Sequence, residues 1–219
     1  MERWGVIFDW DGVLVDSSRL HEESWLRLGQ ELGREMPEGF FPKSFGMKNE
    51  RIMQELLGWK DDPATLQRLA DRKEELFREL VREKGVRVLP GGFELVQALQ
   101  EEGVPVAVGS STPRENIECV LESLGRPVLF SALVTAEDVR HGKPDPEVFL
   151  KAAERLGLPP NRCVVVEDAH VGIEAAHRAG MPVLAVATTH PAETLQDADR
   201  VVPSLEQVRP AMLRELLKG

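Results

Sequence analysis

Several residue types that mark particular classes of protein are scarce in this sequence. Tyrosine is absent, and the two cysteines, Cys119 and Cys163, are far apart and form no CxxC motif. A disulfide framework or a zinc site is therefore not expected. No apolar run approaches the roughly 18 residues of a membrane span, and the N-terminal residues lack the apolar segment of a signal peptide. We therefore expect a cytoplasmic protein without a membrane partner.

Positive charge is also scarce relative to negative charge. The sequence has 27 Lys and Arg against 37 Asp and Glu, a formal net charge of -10. This field repels nucleic acids and anionic membranes, so neither is expected as a partner. A small anionic substrate is compatible with this net negative charge if nearby cationic side chains or a bound metal attract it. The 219 residues suffice for one domain of ordinary size plus an insertion, and a monomer is expected because no long apolar stripe is left over.

Short apolar runs alternate with amphipathic helical segments along most of the chain. Strands that are apolar on both faces indicate a parallel sheet covered on both sides, and right-handed crossovers make this a doubly wound, Rossmann-like α/β fold. The predicted strands are Val6–Phe8, Val104–Val108, Ala132–Thr135, Val164–Val166 and Val183–Ala187, with a weaker one at Val201–Val202. The predicted helices cover residues 92–102, 114–124, 145–156, 171–179 and 191–197.

Residues 17 to about 85 interrupt this alternation, because they contain no convincing strand. The segment predicts three helices, at Ser18–Leu32, Asn49–Leu57 and Ala64–Glu83. We therefore expect an α/β core domain formed by residues 1–16 and 86–219, and a helical cap domain formed by residues 17–85. The hinges are expected near Asp16-Ser17 and Gly85–Pro90, where cap opening would gate the site.

Ligands of a parallel sheet bind beyond the carboxyl ends of its strands, and the first strand ends in two acids. Asp9 and Asp11 stand in the segment Phe8-Asp9-Trp10-Asp11-Gly12. Two carboxylates this close repel each other unless a cation binds them, and hard oxygen ligands suit Mg2+. One carboxylate can attack phosphorus and the other can transfer protons. The alternative is an acidic turn in which Asp16 caps a helix.

Two further segments offer groups that could bind an anion. After the second strand, Ser110 and Ser111 precede a predicted helix, where hydroxyls and free backbone amides form an anion site. The alternative is an ordinary helix cap. Further along, Lys143 stands between Gly142 and Pro144, which restrict its backbone, so its ammonium could face a phosphate. The alternative is an exposed loop lysine.

The fourth strand ends in a second pair of acids, Glu167 and Asp168. Adjacent acids after an apolar run are costly to bury unless they bind a metal or accept hydrogen bonds. Asp168 is the better candidate ligand and Glu167 the weaker one, and the alternative for Asp168 is a helix cap. Together, the strand ends supply a metal site, a nucleophile, an acid/base, hydroxyls and a cation, which are the groups that phosphoryl transfer needs.

These segments resemble, in order, the four motifs of the haloacid dehalogenase superfamily. The resemblance is to its phosphatase and phosphomutase branch, which has a helical cap after the first strand. The segment from Asp9 to Ser17 resembles the first motif, Ser110 the second, Lys143 the third and Glu167-Asp168 the fourth. The resemblance covers essentially the whole chain, and Asp11 excludes the dehalogenases themselves, which lack the second aspartate.

The resemblance implies a magnesium-dependent phosphatase that acts on a small phosphorylated molecule such as a sugar phosphate. Asp9 would be the nucleophile and Asp11 the general acid and base. Mg2+ would be bound by the Asp9 carboxylate, the Asp11 backbone carbonyl and Asp168, with Glu167 contributing directly or through water.

The resemblance also implies the groups that bind the substrate. Ser110 and Lys143 would hold the transferred phosphoryl group, and Ser111 is a further candidate. Arg114 and His21 are candidate substrate contacts. Their alternatives are a solvated arginine at a helix start and a surface or hinge histidine.

Two other functions stay open at this point. The sequence is most similar to beta-phosphoglucomutase and sugar-phosphate phosphatases, but Asn49 stands where the mutase has an arginine in its phosphate-binding cap loop. This departure ranks a sugar phosphomutase second, although Lys48 or Arg51 could replace the arginine. A non-catalytic protein that binds phosphorylated ligands ranks third, because no motif residue is lost.

Overall fold

The computed structural model describes residues 3–44, 47, 49–126 and 129–218. The described residues form eight strands: β1 (Gly5–Phe8), β2 (Val15–Asp16), β3 (Arg87–Val88), β4 (Val106–Gly109), β5 (Ala132–Val134), β6 (Cys163–Glu167), β7 (Val183–Val186) and β8 (Arg200–Val202). They also form eight α-helices: α1 (Ser18–Leu32), α2 (Asn49–Arg51), α3 (Pro63–Lys84), α4 (Gly92–Glu101), α5 (Arg114–Ser123), α6 (Glu147–Leu156), α7 (His170–Arg178) and α8 (Pro210–Leu216). Helix α2 continues into a π-helical turn, Ile52–Leu56.

Six of the strands form one sheet in the order β5-β4-β1-β6-β7-β8, and all neighbouring pairs are parallel. Val6 and Phe8 of β1 pack into one hydrophobic cluster and Ile7 packs into another, because alternate side chains of a strand point to opposite faces. Both faces are therefore covered, which confirms the predicted Rossmann-like fold. The strand order reverses between β1 and β6, the position at which such sheets bind ligands.

The helical segment between β2 and β3 has a hydrophobic core of its own. Its buried members include two tryptophans, Trp25 and Trp59, whose rings meet edge to face at 6.5 Å. Strands β2 and β3 pair antiparallel at the base of this segment and flank the expected hinges. The predicted helical cap is thus present.

Several elements differ from the sequence prediction, among them the short strands β2 and β3, which the sequence did not predict. The predicted helix at 191–197 is only a 3-10 turn, Ala192–Thr194, because Leu195 is the one fully buried residue among largely polar neighbours. Helix α8 was not predicted, since it is short and buries only Pro210 and Leu213. The second cap helix is α-helical only over Asn49–Arg51 and continues as a π-helix over Ile52–Leu56. None of the helices among the described residues combines the length and apolarity that would let it cross a bilayer.

Candidate active site

The candidate nucleophile, Asp9, lies at the carboxyl end of β1, between β4 and β6. Its backbone N–H donates to Val166 O at 2.9 Å, which continues the β1–β6 pairing by one residue. The chain then turns at Gly12, whose φ is +80°. A Cβ at Gly12 would lie 2.1 Å from Asp168 Oδ2, so only glycine allows this segment to lie against the end of β6.

Lys143 brings the ends of β1 and β6 together. Its buried Nζ donates to Asp9 Oδ1 at 2.7 Å and to Glu167 Oε1 at 2.6 Å, and it lies 4.9 Å from the centre of the Phe149 ring. Burial alone would lower the pKa of this ammonium, but the two carboxylates outweigh burial and raise it. Lys143 is therefore a permanent cation at the site.

The Glu167 carboxylate is occupied by donors on both oxygens. Besides Lys143, it accepts from the backbone N–H groups of Asp168 at 2.6 Å and Ala169 at 2.7 Å. Gly172 lies directly beside it, because a Cβ there would be 1.8 Å from Glu167 Oε1. The carboxylate thus orients Lys143 and the turn that carries Asp168.

Asp9, Glu167 and Asp168 form a group of buried acids that fits a divalent metal. One ligand oxygen from each lies within 4.8 Å of the others, and the Lys143 ammonium donates to Asp9 Oδ1 beside them. Burial and the neighbouring carboxylates raise the pKa of Asp9 to about 7, although Lys143 acts in the opposite direction, and that of Asp168 to about 9. Hard oxygens crowded in this way bind a divalent cation well. Thr189 Oγ1 donates to Asp168 Oδ2 and fixes the orientation of this carboxylate.

The Asp11 side chain has other partners. Ser17 Oγ donates to its Oδ1 and Thr112 Oγ1 donates to its Oδ2. Ser17 immediately precedes α1 at the hinge, and Thr112 lies in the segment between β4 and α5. Asp11 is therefore held between cap and core, outside the group of acids that fits a metal.

The residues after β4 take different positions. Ser110 is buried, and its Oγ accepts from the backbone N–H of Thr112 at 3.1 Å, whereas Ser111 is exposed. The Arg114 guanidinium donates to Leu133 O at 2.9 Å and to Asp138 Oδ2 at 3.0 Å. These bonds tie α5 to the end of β5.

His21 meets a lysine that the sequence analysis missed. The His21 ring stacks on Phe77 at 4.1 Å, and its Nδ1 is 2.7 Å from Nζ of Lys73. Burial and the Lys73 charge lower the pKa of His21 to about 4, so the ring is neutral at pH 7 and accepts from Lys73 through Nδ1. Asp11 is close enough to both groups to act on their pKa values electrostatically. Lys73 and His21 therefore form a hydrogen-bonded pair within the cap.

A signal for Lys73 exists in the sequence. Lys73 lies on the buried stripe of α3 with Ala70 and Phe77, at helical spacing, where an apolar residue is expected. A lysine at such a position indicates that its ammonium is buried and bonded to another polar group. In the cap loop, Phe45, Gly46 and Lys48 lie outside the described residues, and Arg51 pairs with Glu55 at 2.7 Å.

The fold and this arrangement define a class: a doubly wound α/β protein with a helical cap and a group of buried acids at the switch point of its sheet. The model of the family described as haloacid dehalogenase-like hydrolase matches residues 5–180. The chain belongs to this family, and the resemblance to its phosphatase and beta-phosphoglucomutase-like branch is confirmed.

Two curated relatives and one solved structure are similar over nearly the whole chain. The chain is 42% identical to the chloroplastic 5-amino-6-(5-phospho-D-ribitylamino)uracil phosphatase of Arabidopsis thaliana, covering 97% of this chain and 57% of the plant protein's length. It is 34% identical to Hexitol phosphatase A of Escherichia coli, covering 93% and 92%. A beta-phosphoglucomutase from Clostridium difficile superposes with a TM-score of 0.85 at 25% identity, covering 99% and 98%.

Proposed function

We propose that the protein is a magnesium-dependent phosphatase that hydrolyses a small phosphate monoester through an aspartyl-phosphate on Asp9. The observation that carries the proposal is the Lys143 ammonium 2.7 Å from Asp9 Oδ1, within a group of three buried acids. A dianionic phosphate needs a fixed cation such as Lys143, together with a metal bound by these acids, to approach a carboxylate nucleophile in a protein of net charge -10.

In the first proposed step, a carboxylate oxygen of Asp9 attacks phosphorus and the ester P–O bond breaks. Asp11 gives its proton to the leaving alcohol. In the second step, water attacks the aspartyl-phosphate, Asp11 takes the water proton, and inorganic phosphate leaves with Asp9 regenerated. The separate partners of the two aspartates support this division, because Asp9 pairs with Lys143 while Asp11 lies between Ser17 and Thr112.

The proposed metal ligands are the carboxylates of Asp9 and Asp168 and the backbone carbonyl of Asp11. Bound Mg2+ would neutralise charge on the phosphoryl oxygens and so favour attack by an anion. The bonds of Glu167 to Lys143 and to two backbone N–H groups favour a role in orienting Lys143 and Asp168, with any contribution to the metal made through water.

The proposed phosphoryl-binding groups are Ser110 and Lys143, with Ser111 at the exposed rim. His21 and Lys73 are proposed to face the substrate from the cap. We leave Arg114 out of this set, since its guanidinium is engaged by Leu133 and Asp138.

The proposed substrates are polyhydroxylated primary phosphates. The two curated relatives are named for a phosphorylated ribityl compound and for hexitols, and both names describe phosphate esters of hydroxyl-rich chains. Polar and charged cap side chains near Asp11 suit such molecules.

A panel of sugar, polyol and aromatic phosphates, assayed for phosphate release with Mg2+ and with EDTA, tests the proposal. We expect metal-dependent release that is strongest for polyol or sugar phosphates and is abolished by Asp9→Asn. Asp145→Asn, a change outside the strand ends, is the matched control and should retain activity. Full activity of Asp9→Asn would overturn the mechanism.

A sugar phosphomutase is the second candidate, favoured by the TM-score of 0.85 to a beta-phosphoglucomutase. Against it, Asn49 stands at the position of the mutase arginine and its amide is bonded to Glu74 at 2.7 Å. Conversion of beta-glucose 1-phosphate to glucose 6-phosphate that outpaces phosphate release would reverse this ranking.

A further inference from the structure

Helix α3 of the cap contacts helix α5 of the core, and the side chain of Asn116 lies in this contact. Asn116 is 0% exposed. Its Nδ2 donates to Glu74 Oε2 at 2.6 Å, and its Oδ1 accepts from Arg78 Nη1 at 3.0 Å. Glu74 and Arg78 are one helical turn apart and face the same way. The nitrogen and the oxygen of the Asn116 side-chain amide, which belongs to the core, are therefore each hydrogen-bonded to a cap residue.

The same Glu74 carboxylate collects donors from two further places. Its Oε1 accepts from Lys73 Nζ at 2.9 Å and from Asn49 Nδ2 at 2.7 Å. Burial acts to raise the pKa of Glu74, but the Lys73 charge and these donors lower it to about 2, so the carboxylate is ionised. One buried charge thus links α2, α3 and the core helix α5.

Lys73 connects this carboxylate to His21, a proposed substrate contact. Its ammonium is almost completely buried, 2.9 Å from Glu74 Oε1 and 2.7 Å from His21 Nδ1. It also lies 5.6 Å from the centre of the Trp25 ring. The Glu74 carboxylate fixes the Lys73 ammonium beside the rings of Trp25 and Phe77.

We propose that Asn116 is the core half of a clamp that holds the cap shut and, through Glu74, positions the Lys73 ammonium over the active site. The proposal rests on the proposed function, because a closed cap matters only if substrate is enclosed. Asn116 is a positioning residue, since it acts through Glu74 and Lys73.

The physical reason is that opening the cap separates Asn116 from both of its partners. The Glu74 carboxylate and the Arg78 guanidinium then lose their hydrogen bonds to the uncharged Asn116 amide, and water must replace those bonds. The clamp therefore favours closure without adding net charge at the interface. Loss of the clamp lowers the fraction of closed molecules, and apparent substrate affinity falls in proportion to that fraction.

Hydrogen exchange of the whole protein without substrate or metal tests the clamp independently of catalysis. In Asn116→Leu, which keeps the branched side-chain shape and removes both bonds, we expect backbone amides of α3 and the start of α5 to exchange about ten times faster or more. KM for p-nitrophenyl phosphate with Mg2+ should rise by a similar factor, with a smaller loss of kcat. If the variant fails to fold, Asn116→Ala serves instead, because it removes both bonds without adding volume and should accelerate exchange in the same segments.

Two further variants separate the clamp from a merely structural role. Glu115→Gln is the matched control, because Glu115 is adjacent to Asn116 and pairs with the same Arg78 at 3.0 Å, but its side chain is 73% exposed. It should leave exchange and KM unchanged. The double variant E74Q/N116D restores an amide–carboxylate pair with the roles exchanged, so exchange protection should return, while kcat should fall below that of Asn116→Leu because Lys73 has lost its carboxylate.

Unchanged exchange and KM in Asn116→Leu would overturn the clamp, as would failure of E74Q/N116D to recover protection. Absence of turnover for every phosphate ester, with fast exchange in Asn116→Leu, would instead contradict the proposed function and leave the clamp supported.

Discussion

Asp9 and Asp11 are two residues apart but have different surroundings. Asp9 is buried beside Lys143 and two other acids, whereas Asp11 accepts from Ser17 and Thr112. Ser17 lies at the hinge before α1, and Thr112 lies two residues after Ser110 of the second motif. The proposed acid and base, Asp11, is thus held where cap and core meet, and the proposed nucleophile, Asp9, lies where the strand order of the sheet reverses.

Replacement of Asp11 by Asn should slow both proposed steps, because the side chain can no longer donate or accept the proton. We expect kcat to fall by about 10^2 to 10^4. The loss should be smaller for a phosphate ester with an acidic leaving group, such as p-nitrophenyl phosphate, than for an alkyl phosphate, since only the alkoxide needs protonation. Comparison of kcat/KM for the two esters checks this, because kcat/KM reports ester cleavage and not the second step that both esters share, and an equal loss of kcat/KM would exclude Asp11 as the acid.

At the scale of elements, the sequence largely predicts which functional groups follow the carboxyl ends of the core strands. A buried strand followed by acids is visible in the sequence at β1 and at β6, and a parallel sheet brings such ends together. The pairing of Glu167 with Lys143 was not predictable, because it depends on where the loop before α6 lies. Lys73 and its contact with His21 required the packing of α3 against α1, which a single sequence does not specify.

Helix α7 begins so close to the site that its glycine, Gly172, is required by the packing there. A methyl group at Gly172 would overlap the Glu167 carboxylate, which would have to move away from Lys143 and the backbone donors. We expect Gly172→Ala to destabilise the protein by about 1 to 3 kcal/mol and to lower kcat, because the change overpacks a buried site. Thermal or urea unfolding measures the first effect.

Gly142→Ala is the control for this prediction, since a Cβ there meets no atom within 4 Å. Its unfolding free energy should match that of the parent. A Gly172→Ala protein as stable and active as the parent would show that the Glu167 carboxylate is not held in the arrangement described.

At the scale of the whole molecule, the buried acids make stability depend on pH and on metal. Burial and neighbouring carboxylates raise the pKa of Asp9 to about 7 and of Asp168 to about 9. A raised carboxyl pKa in the folded state contributes stability that is fully present below the unfolded pKa and is lost as pH rises through the folded value. The metal-free protein should therefore lose stability between about pH 4 and pH 9 through these groups.

Mg2+ should offset this loss, because it binds the ionised carboxylates and displaces their protons. We expect the Mg2+-induced rise in Tm to grow from pH 6 to pH 9, and proton release on binding to be detectable by calorimetry in buffers of different ionisation enthalpy. Asp168→Asn should remove most of the rise. A Tm shift independent of pH would contradict the assignment of these acids as ligands.

The central claim is that Asp9 carries the phosphoryl group, and chemical trapping measures this directly. Acyl phosphates are reduced by borohydride, so protein quenched during turnover of a phosphate ester with Mg2+, treated with borohydride and digested, should contain homoserine in place of aspartate at position 9 by peptide mass spectrometry. The account predicts this conversion at Asp9, its absence without substrate, and an unmodified Asp11. Conversion at another carboxylate, or none in an enzyme that is turning over, would contradict it.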